Sequence, residues 1–161
     1  NKITKKYGSE SLLVAIDTRK TFGSWKVYLN GGKSRTEIDL LNWVEMVQVR
    51  GAGEVLVSTI ARETIQHEEV LEVLSSIRSM VKVPFLASIG AKTIHDFANA
   101  FLNTCVDGVV SGHYFMQEET SISGLKQGLL NEGIPVSTGH LVNEPRFEVD
   151  EDSFEDDASE E

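Results

Sequence analysis

Four short apolar runs recur along the chain, each closing on a small polar or acidic residue and each followed by a stretch of helical period, and no other feature restricts its fold as strongly. Leu12-Leu13-Val14-Ala15-Ile16 runs into Asp17, Val55-Leu56-Val57 into Ser58-Thr59, Phe85-Leu86-Ala87 into Ser88, and Asp107-Gly108-Val109-Val110 into Ser111-Gly112. A run that is apolar at every position suits a strand covered on both faces, and such strands separated by helices form parallel β/α units.

The intervening stretches have the spacing of amphipathic helices. Thr36 and Asp39 have capping-box spacing ahead of Leu40, Leu41, Val44 and Val47. Val70, Val73, Leu74, Ile77 and Val81 share one face of a second helix that has to stop before Pro84. Thr93 and Asp96 open a third, with Ile94, Phe97, Ala98 and Phe101 inward, and a fourth with Ile122, Leu125 and Leu129 closes at Gly133. Residues 25–29 alternate and run into Asn30-Gly31-Gly32, which predicts a small hairpin after the first strand. The order is β-α-β-α-β-α-β-α. That is half of a (β/α)₈ TIM-type barrel, whose usual length is roughly 250 residues, and a small flavodoxin-like open sheet shares the alternation. In a half-barrel the interior lining, expected from residues such as Val14, Ile16, Leu56 and Phe85, is left partly uncovered and recruits another chain.

The formal net charge of −10 is concentrated at one end: ten of the 25 acidic residues lie within 143–161, where Arg146 is the one basic residue. With only Phe147, Val149 and Phe154 nearby to bury, 143–161 is expected to be a disordered acidic tail on a folded unit spanning 1–142. A solubilising terminus and an interaction tail for a basic partner both fit it. The near-neutral body has no basic stripe, so no nucleic-acid binding is expected. The single cysteine, Cys105, excludes an internal disulfide framework and a Cys-rich zinc cage. No apolar run approaches the 18 or so residues of a membrane span, and residues 1–6 lead into no signal-type stretch, so no membrane association and a cytoplasmic location are expected. The chain begins with Asn1 rather than Met, so either a processed N-terminus or a piece of a longer protein is expected.

Several of these segments are specific in combination. Leu13-Val14-Ala15-Ile16-Asp17, Trp43-Val44-Glu45 followed by Arg50-Gly51-Ala52-Gly53-Glu54-Val55-Leu56, Pro84-Phe85-Leu86-Ala87-Ser88 with Gly90-Ala91, and His95-Asp96-Phe97 with Ala100-Phe101 occur in the order and spacing of the HisF family. The chain resembles the C-terminal half of the cyclase subunit of imidazole glycerol phosphate synthase over about residues 2–140. The resemblance implies a (β/α)₈ barrel built from two similar halves and an ammonia-dependent cyclase/lyase of histidine biosynthesis. Its small phosphorylated substrate would be a ribulosyl nucleotide, converted to imidazole glycerol phosphate without a cofactor. It also implies a glutaminase (HisH-like) partner docked at the bottom of the barrel, and a companion N-terminal half supplying the first of two catalytic aspartates.

The same resemblance assigns roles to particular residues. Asp17 falls at the second catalytic aspartate, where a carboxylate at the C-terminal end of a barrel strand takes and returns a proton; on spacing alone it could instead cap the following loop or pair with Arg19. Glu54 matches a charged residue near the ammonia entrance, or is an ordinary solvated glutamate. Lys33 falls in a loop that carries a basic residue near the substrate. Ser58, Thr59 and Gly90 match residues of the active face, though small hydroxyls at strand ends also satisfy backbone groups.

Departures from the family pattern are equally visible. After the second strand this chain reads Ser58-Thr59-Ile60-Ala61-Arg62-Glu63-Thr64, with Ala61 and Glu63 in place of two aspartates and a shorter loop. At the third strand Ser88-Ile89-Gly90-Ala91-Lys92 replaces a more glycine-rich phosphate loop; Ile89 is expected to crowd the anion and Lys92 to restore positive charge. After the fourth, His113 stands where the family has a phosphate-binding serine. His67 and His95 lie on helical stretches as surface or cap residues, and no spacing suggests a metal site. Two functions follow from this balance: the cyclase itself, or a catalytically degenerate paralogue that keeps the scaffold or a partner-docking face, or acts on a related substrate.

Overall fold

The computed structural model describes residues 2–60, 67–117 and 120–137. Residues 61–64, which carry the departures after the second apolar run, and the acidic 143–161 segment lie outside the described residues. A short helix α1 (Lys2–Tyr7) and a 3₁₀ turn (Ser9–Ser11) precede strands β1 (Leu13–Thr21), β2 (Ser24–Leu29) and β3 (Ser34–Asp39). Then come α2 (Leu40–Val49), β4 (Glu54–Thr59), α3 (His67–Met80), β5 (Phe85–Ser88), α4 (Ile94–Thr104), β6 (Gly108–Val110), α5 (Gly112–Phe115) and α6 (Ile122–Asn131). Among the described residues no helix is long and apolar enough to cross a membrane.

The six strands form one sheet in the order β3-β2-β1-β4-β5-β6, in which β1, β4, β5 and β6 are parallel neighbours and β2 and β3 extend it antiparallel. The four parallel strands follow chain order without reversal, so the switch point of a flavodoxin-like sheet is missing and the arrangement is half of a (β/α)₈ barrel. One sheet face is packed. Ile16, Val55, Val57, Phe85 and Ala87 form a continuous core with Leu40, Val44 and Val47 of α2, Val70, Val73, Leu74 and Ile77 of α3, and Ala100 of α4. Because side chains alternate along a strand, the other face carries Leu13, Ala15, Asp17, Glu54, Leu56, Ser58, Leu86 and Ser88.

This alternation corrects the expected lining. Val14, Ile16 and Phe85 point to the helices, and of the residues named for the interior only Leu56 lies on the uncovered face. Each apolar run conceals a period of two, because helices cover one face and the barrel interior would cover the other. Besides the outer edge of β3, two edges along the parallel strands stay open among the described residues. β2 pairs only with Asp17–Thr21 of β1, which leaves the outer edge of Leu13–Ile16 without a partner strand, and β6 has a neighbour only in β5.

Local chemistry accounts for the boundaries. β1 does not end at Asp17: its parallel ladder with β4 runs to Thr18, and the strand then twists away into the hairpin. The N-cap of α2 is Asp39, whose carboxylate accepts from the Leu41 and Asn42 amides at 3.0 and 3.3 Å. Thr36 instead lies in β3 and donates to the Val27 carbonyl at 2.7 Å, because the strand pairing with β2 claims the residues that a capping box would need. The capping box at Thr93 and Asp96 does form, and Gly133 follows α6 at φ +78°. In the turn before β4, a Cβ on Gly53 would meet the Ser9 carbonyl, and the Gly53 and Glu54 amides donate to the Leu12 carbonyl at 3.0 and 3.2 Å. The turn is glycine-rich because the 3₁₀ segment presses against its backbone.

Candidate active face

Register across the parallel strands stacks the open face into layers. Ala15, Leu56, Leu86 and Gly108 make an apolar layer, and one step toward the C-terminal ends Asp17, Ser58, Ser88 and Val110 make the next. Adjacent strands are about 4.8 Å apart, so Asp17, Ser58 and Ser88 span roughly 10 Å of sheet at the end where barrel chemistry is located. Among the described residues the Asp17 carboxylate has no hydrogen bond and no ion pair, and neither the Ser58 nor the Ser88 hydroxyl has a partner. Neither the pairing of Asp17 with Arg19 nor a capping role for it is formed. Among the described residues the result is a half-buried carboxylate without a partner, beside two hydroxyls without partners and one step above an apolar layer. Such a group can carry a proton to and from a bound molecule.

Glu54 occupies the same face of β4 four residues below Ser58, roughly 13 Å away along the strand and opposite Leu13 at its N-terminal end. It is therefore removed from the Asp17 layer. Thr59 is also removed, for a different reason. It pairs with Thr18 on the helix-covered face, and its hydroxyl donates to the Ser88 carbonyl at 3.3 Å, so it stabilises the β4–β5 edge and does not line the layer. Lys33 is exposed on the hairpin turn, whose preceding Gly32 is buried against the Ile60 side chain just past β4. The hairpin thus folds over toward the C-terminal ends of the strands.

The loops after β5 and β6 are tied together. The buried Ser111 hydroxyl donates to the Ala91 carbonyl at 2.6 Å and accepts from the Tyr114 amide at 3.2 Å. Gln117 reaches the Lys92 carbonyl at 3.0 Å. Both Lys92 and Thr93 donate their amides to the Asp96 carboxylate at 2.9 Å, so those two N–H groups are occupied, and the Lys92 side chain is exposed. Gly90 keeps φ +68° with open space where a Cβ would stand. Ile89 does not crowd it. Its side chain points to the helix side and packs against both hydrophobic clusters, because it is one residue past Ser88 in the strand alternation. His113 is exposed on the first turn of α5, and His95 is exposed on α4. Among the described residues no three His, Cys, Asp or Glu side chains are grouped as metal ligands.

Ser88 and the pair Arg19 and Tyr28 complete the face and are not evident from motif spacing. Ser88 could have been found from its position, since it ends its strand as Ser58 does. Tyr28 could not, because it reaches Asp17 only through the β1–β2 register. A separate cleft of about 270 Å³, lined by Lys20, Trp25, Asp39, Leu41, Glu69 and Glu72, lies behind the hairpin and is bridged by Lys20 and Glu69 at 2.8 Å. Lys20 and Trp25 point to the helix side, away from Asp17, so this cleft does not communicate with the open face.

Comparisons with known proteins agree with this architecture. Residues 1–121 match the family described as "Histidine biosynthesis protein". The chain is 38% identical over 136 residues to the imidazole glycerol phosphate synthase subunit HisF of Flavobacterium psychrophilum, covering 84% of this chain and 54% of that protein. It is 36% identical over 131 residues to the HisF of Natranaerobius thermophilus, covering 81% and 52%. With the HisF of Halalkalibacterium halodurans it shares 33% over 132 residues, again covering 81% and 52%. The chain spans about half the length of the curated relatives it matches, as four parallel strands would of an eight-stranded barrel. A half-barrel sheet, in a sequence that matches this family through 1–121 and is 38% identical to a HisF over 84% of its length, places the chain in the histidine biosynthesis protein family.

Proposed function

We propose that this chain forms one half of an ammonia-dependent cyclase barrel of histidine biosynthesis, working in the cytoplasm on a phosphorylated ribulosyl nucleotide and needing no cofactor. The observation that carries the reading is the Asp17 carboxylate at the C-terminal end of a parallel strand, level with the hydroxyls of Ser58 and Ser88, all three without a partner among the described residues. Asp17 acts as one of two proton-transfer groups, accepting a proton as ammonia adds and returning one as the ring closes; the other carboxylate comes from the companion half-barrel. Ser58 orients the substrate beside Asp17. Gly90, with Lys92, His113 and Lys33 around the rim, receives a phosphate. Glu54, at the opposite end of the same face, belongs to the entrance through which a glutaminase subunit delivers ammonia. The open edges at Leu13–Ile16 and at β6 are where the companion half docks.

A second reading, a scaffold without catalysis, draws on the occupied amides of Lys92 and Thr93, which leave fewer N–H donors for a phosphate. The two separate in one experiment. The chain is co-expressed with the N-terminal half of a HisF relative, and turnover of the phosphorylated ribulosyl nucleotide with ammonium is followed. Turnover that depends on Asp17 supports the cyclase; a stable complex without turnover supports the scaffold.

A further inference from the structure

Resting on the reading of the open face as a phosphorylated-substrate site, we propose that Arg19 is a second anion-binding group there, holding a phosphomonoester beside Asp17. Arg19 follows Asp17 by two residues on β1 and therefore shares its face. Its guanidinium lies over the Tyr28 ring, 4.9 Å from the centroid, and Tyr28 stands directly opposite Asp17 in the β1–β2 register. The shelf is rigid: Tyr28 is buried and its hydroxyl is 3.0 Å from Thr21 Oγ1.

What distinguishes Arg19 is a buried donor without an acceptor. Its Nε is buried without a hydrogen-bond partner, the one such side-chain atom among the described residues, and Arg19 forms no ion pair there. Arg35 and Arg78, by contrast, pair with Glu37 and Asp107. Among the described residues this guanidinium is held on an aromatic ring without a carboxylate, which leaves its donors available to an anionic ligand. Lys26, opposite Arg19 in the register, adds positive charge on the same face and leaves its ammonium loosely held at 3.4 Å from the Glu37 carbonyl. A planar fork of donors fits the tetrahedral oxygens of a phosphomonoester better than a point charge does. Gly90 belongs to the loop two strands away, roughly 10 Å across the sheet, so the Arg19 position is a different anion site. A phosphate on Arg19 puts the attached carbon chain over Asp17.

The test uses the full 161-residue chain, ¹⁵N-labelled, titrated with inorganic phosphate and with glycerol 3-phosphate at constant ionic strength. The Arg19 Nε–H resonance is expected to shift and saturate. Arg19→Gln is expected to weaken binding about tenfold or more, Arg19→Lys to weaken it less, and Tyr28→Leu to weaken it by removing the shelf. Lys82→Gln, between α3 and β5 at the far end of the sheet, serves as the control and leaves affinity unchanged. If Arg19→Gln does not fold, Arg19→Lys and Tyr28→Leu decide. An Arg19 resonance that ignores phosphate, or variants that bind as the parent does, overturns the proposal. Assays of the complemented barrel keep its failure apart from that of the functional reading. A KM unchanged by Arg19→Gln, with turnover still lost in Asp17→Asn, sinks the Arg19 site alone. Arg19-dependent phosphate binding in a complex without turnover sinks the cyclase alone.

Discussion

Thr59 donates its hydroxyl to the Ser88 carbonyl while its neighbour Ser58 points to the opposite face of the sheet, level with Asp17. Two adjacent hydroxyl residues at one strand end thus do different work, and substitutions should separate them. Thr59→Val is expected to cost about 1 kcal/mol, the usual net worth of such a hydrogen bond, and to leave turnover of the complemented barrel intact. Ser58→Ala should do the reverse. Urea denaturation and turnover measured on both variants check the pair.

Asp17→Asn should abolish most turnover without unfolding the protein. Its carboxylate has no partner among the described residues, so neutralising it removes no native interaction, whereas loss of a proton-transfer group typically lowers rate by about 10²–10⁴-fold. Equal urea midpoints with turnover at parental levels would remove Asp17 from the chemistry.

Ile89→Gly tests whether this loop is obstructed. Because the side chain packs against both core clusters, its removal should destabilise the protein by about 1–3 kcal/mol and should not tighten phosphate binding. Calorimetric titration with phosphate alongside thermal unfolding distinguishes the outcomes; tighter binding with unchanged stability would put Ile89 in the loop mouth after all.

The capping box of α4 offers a purely structural check. Thr93→Ala leaves the Asp96 amide without its side-chain acceptor, now at 3.2 Å, and should lower stability by about 1 kcal/mol. Hydrogen exchange should quicken first in the opening turn of α4.

The open face should make the isolated chain associate. Leu13 and Val110 are each 42% exposed on that face, beside strand edges with no partner among the described residues, and Leu56→Arg, placing a charge in the apolar layer, should shift the population toward monomer. Light scattering coupled to size exclusion reads the mass directly. A dilution-stable monomer of the parent chain would mean that the face needs no cover.

Much of this architecture was legible in the residues. The four apolar runs and the helical stripes anchored by Val44, Ile77, Phe97 and Leu125 require only local period, and they name the four parallel strands, the four longer helices and the half-barrel alternation, though not α1, α5 or β3. The family resemblance, carried by segments such as Arg50-Gly51-Ala52-Gly53, likewise resides in the sequence, and the backbone pressed against Gly53 supplies its reason. What the sequence left open depended on pairing between distant segments. A continuous apolar run does not reveal which residues face the helices, so Val14, Ile16 and Phe85 were indistinguishable from Leu56 until the register was known. Thr36 lost its cap to Asp39 because β2 pairs with β3, and Thr59 parted from Ser58 because side chains alternate about the strand. The placing of Tyr28 beside Asp17, and of Arg19 over that ring with its Nε lacking a hydrogen-bond partner among the described residues, exists only in the folded hairpin, where residues eleven positions apart become neighbours across a single ladder.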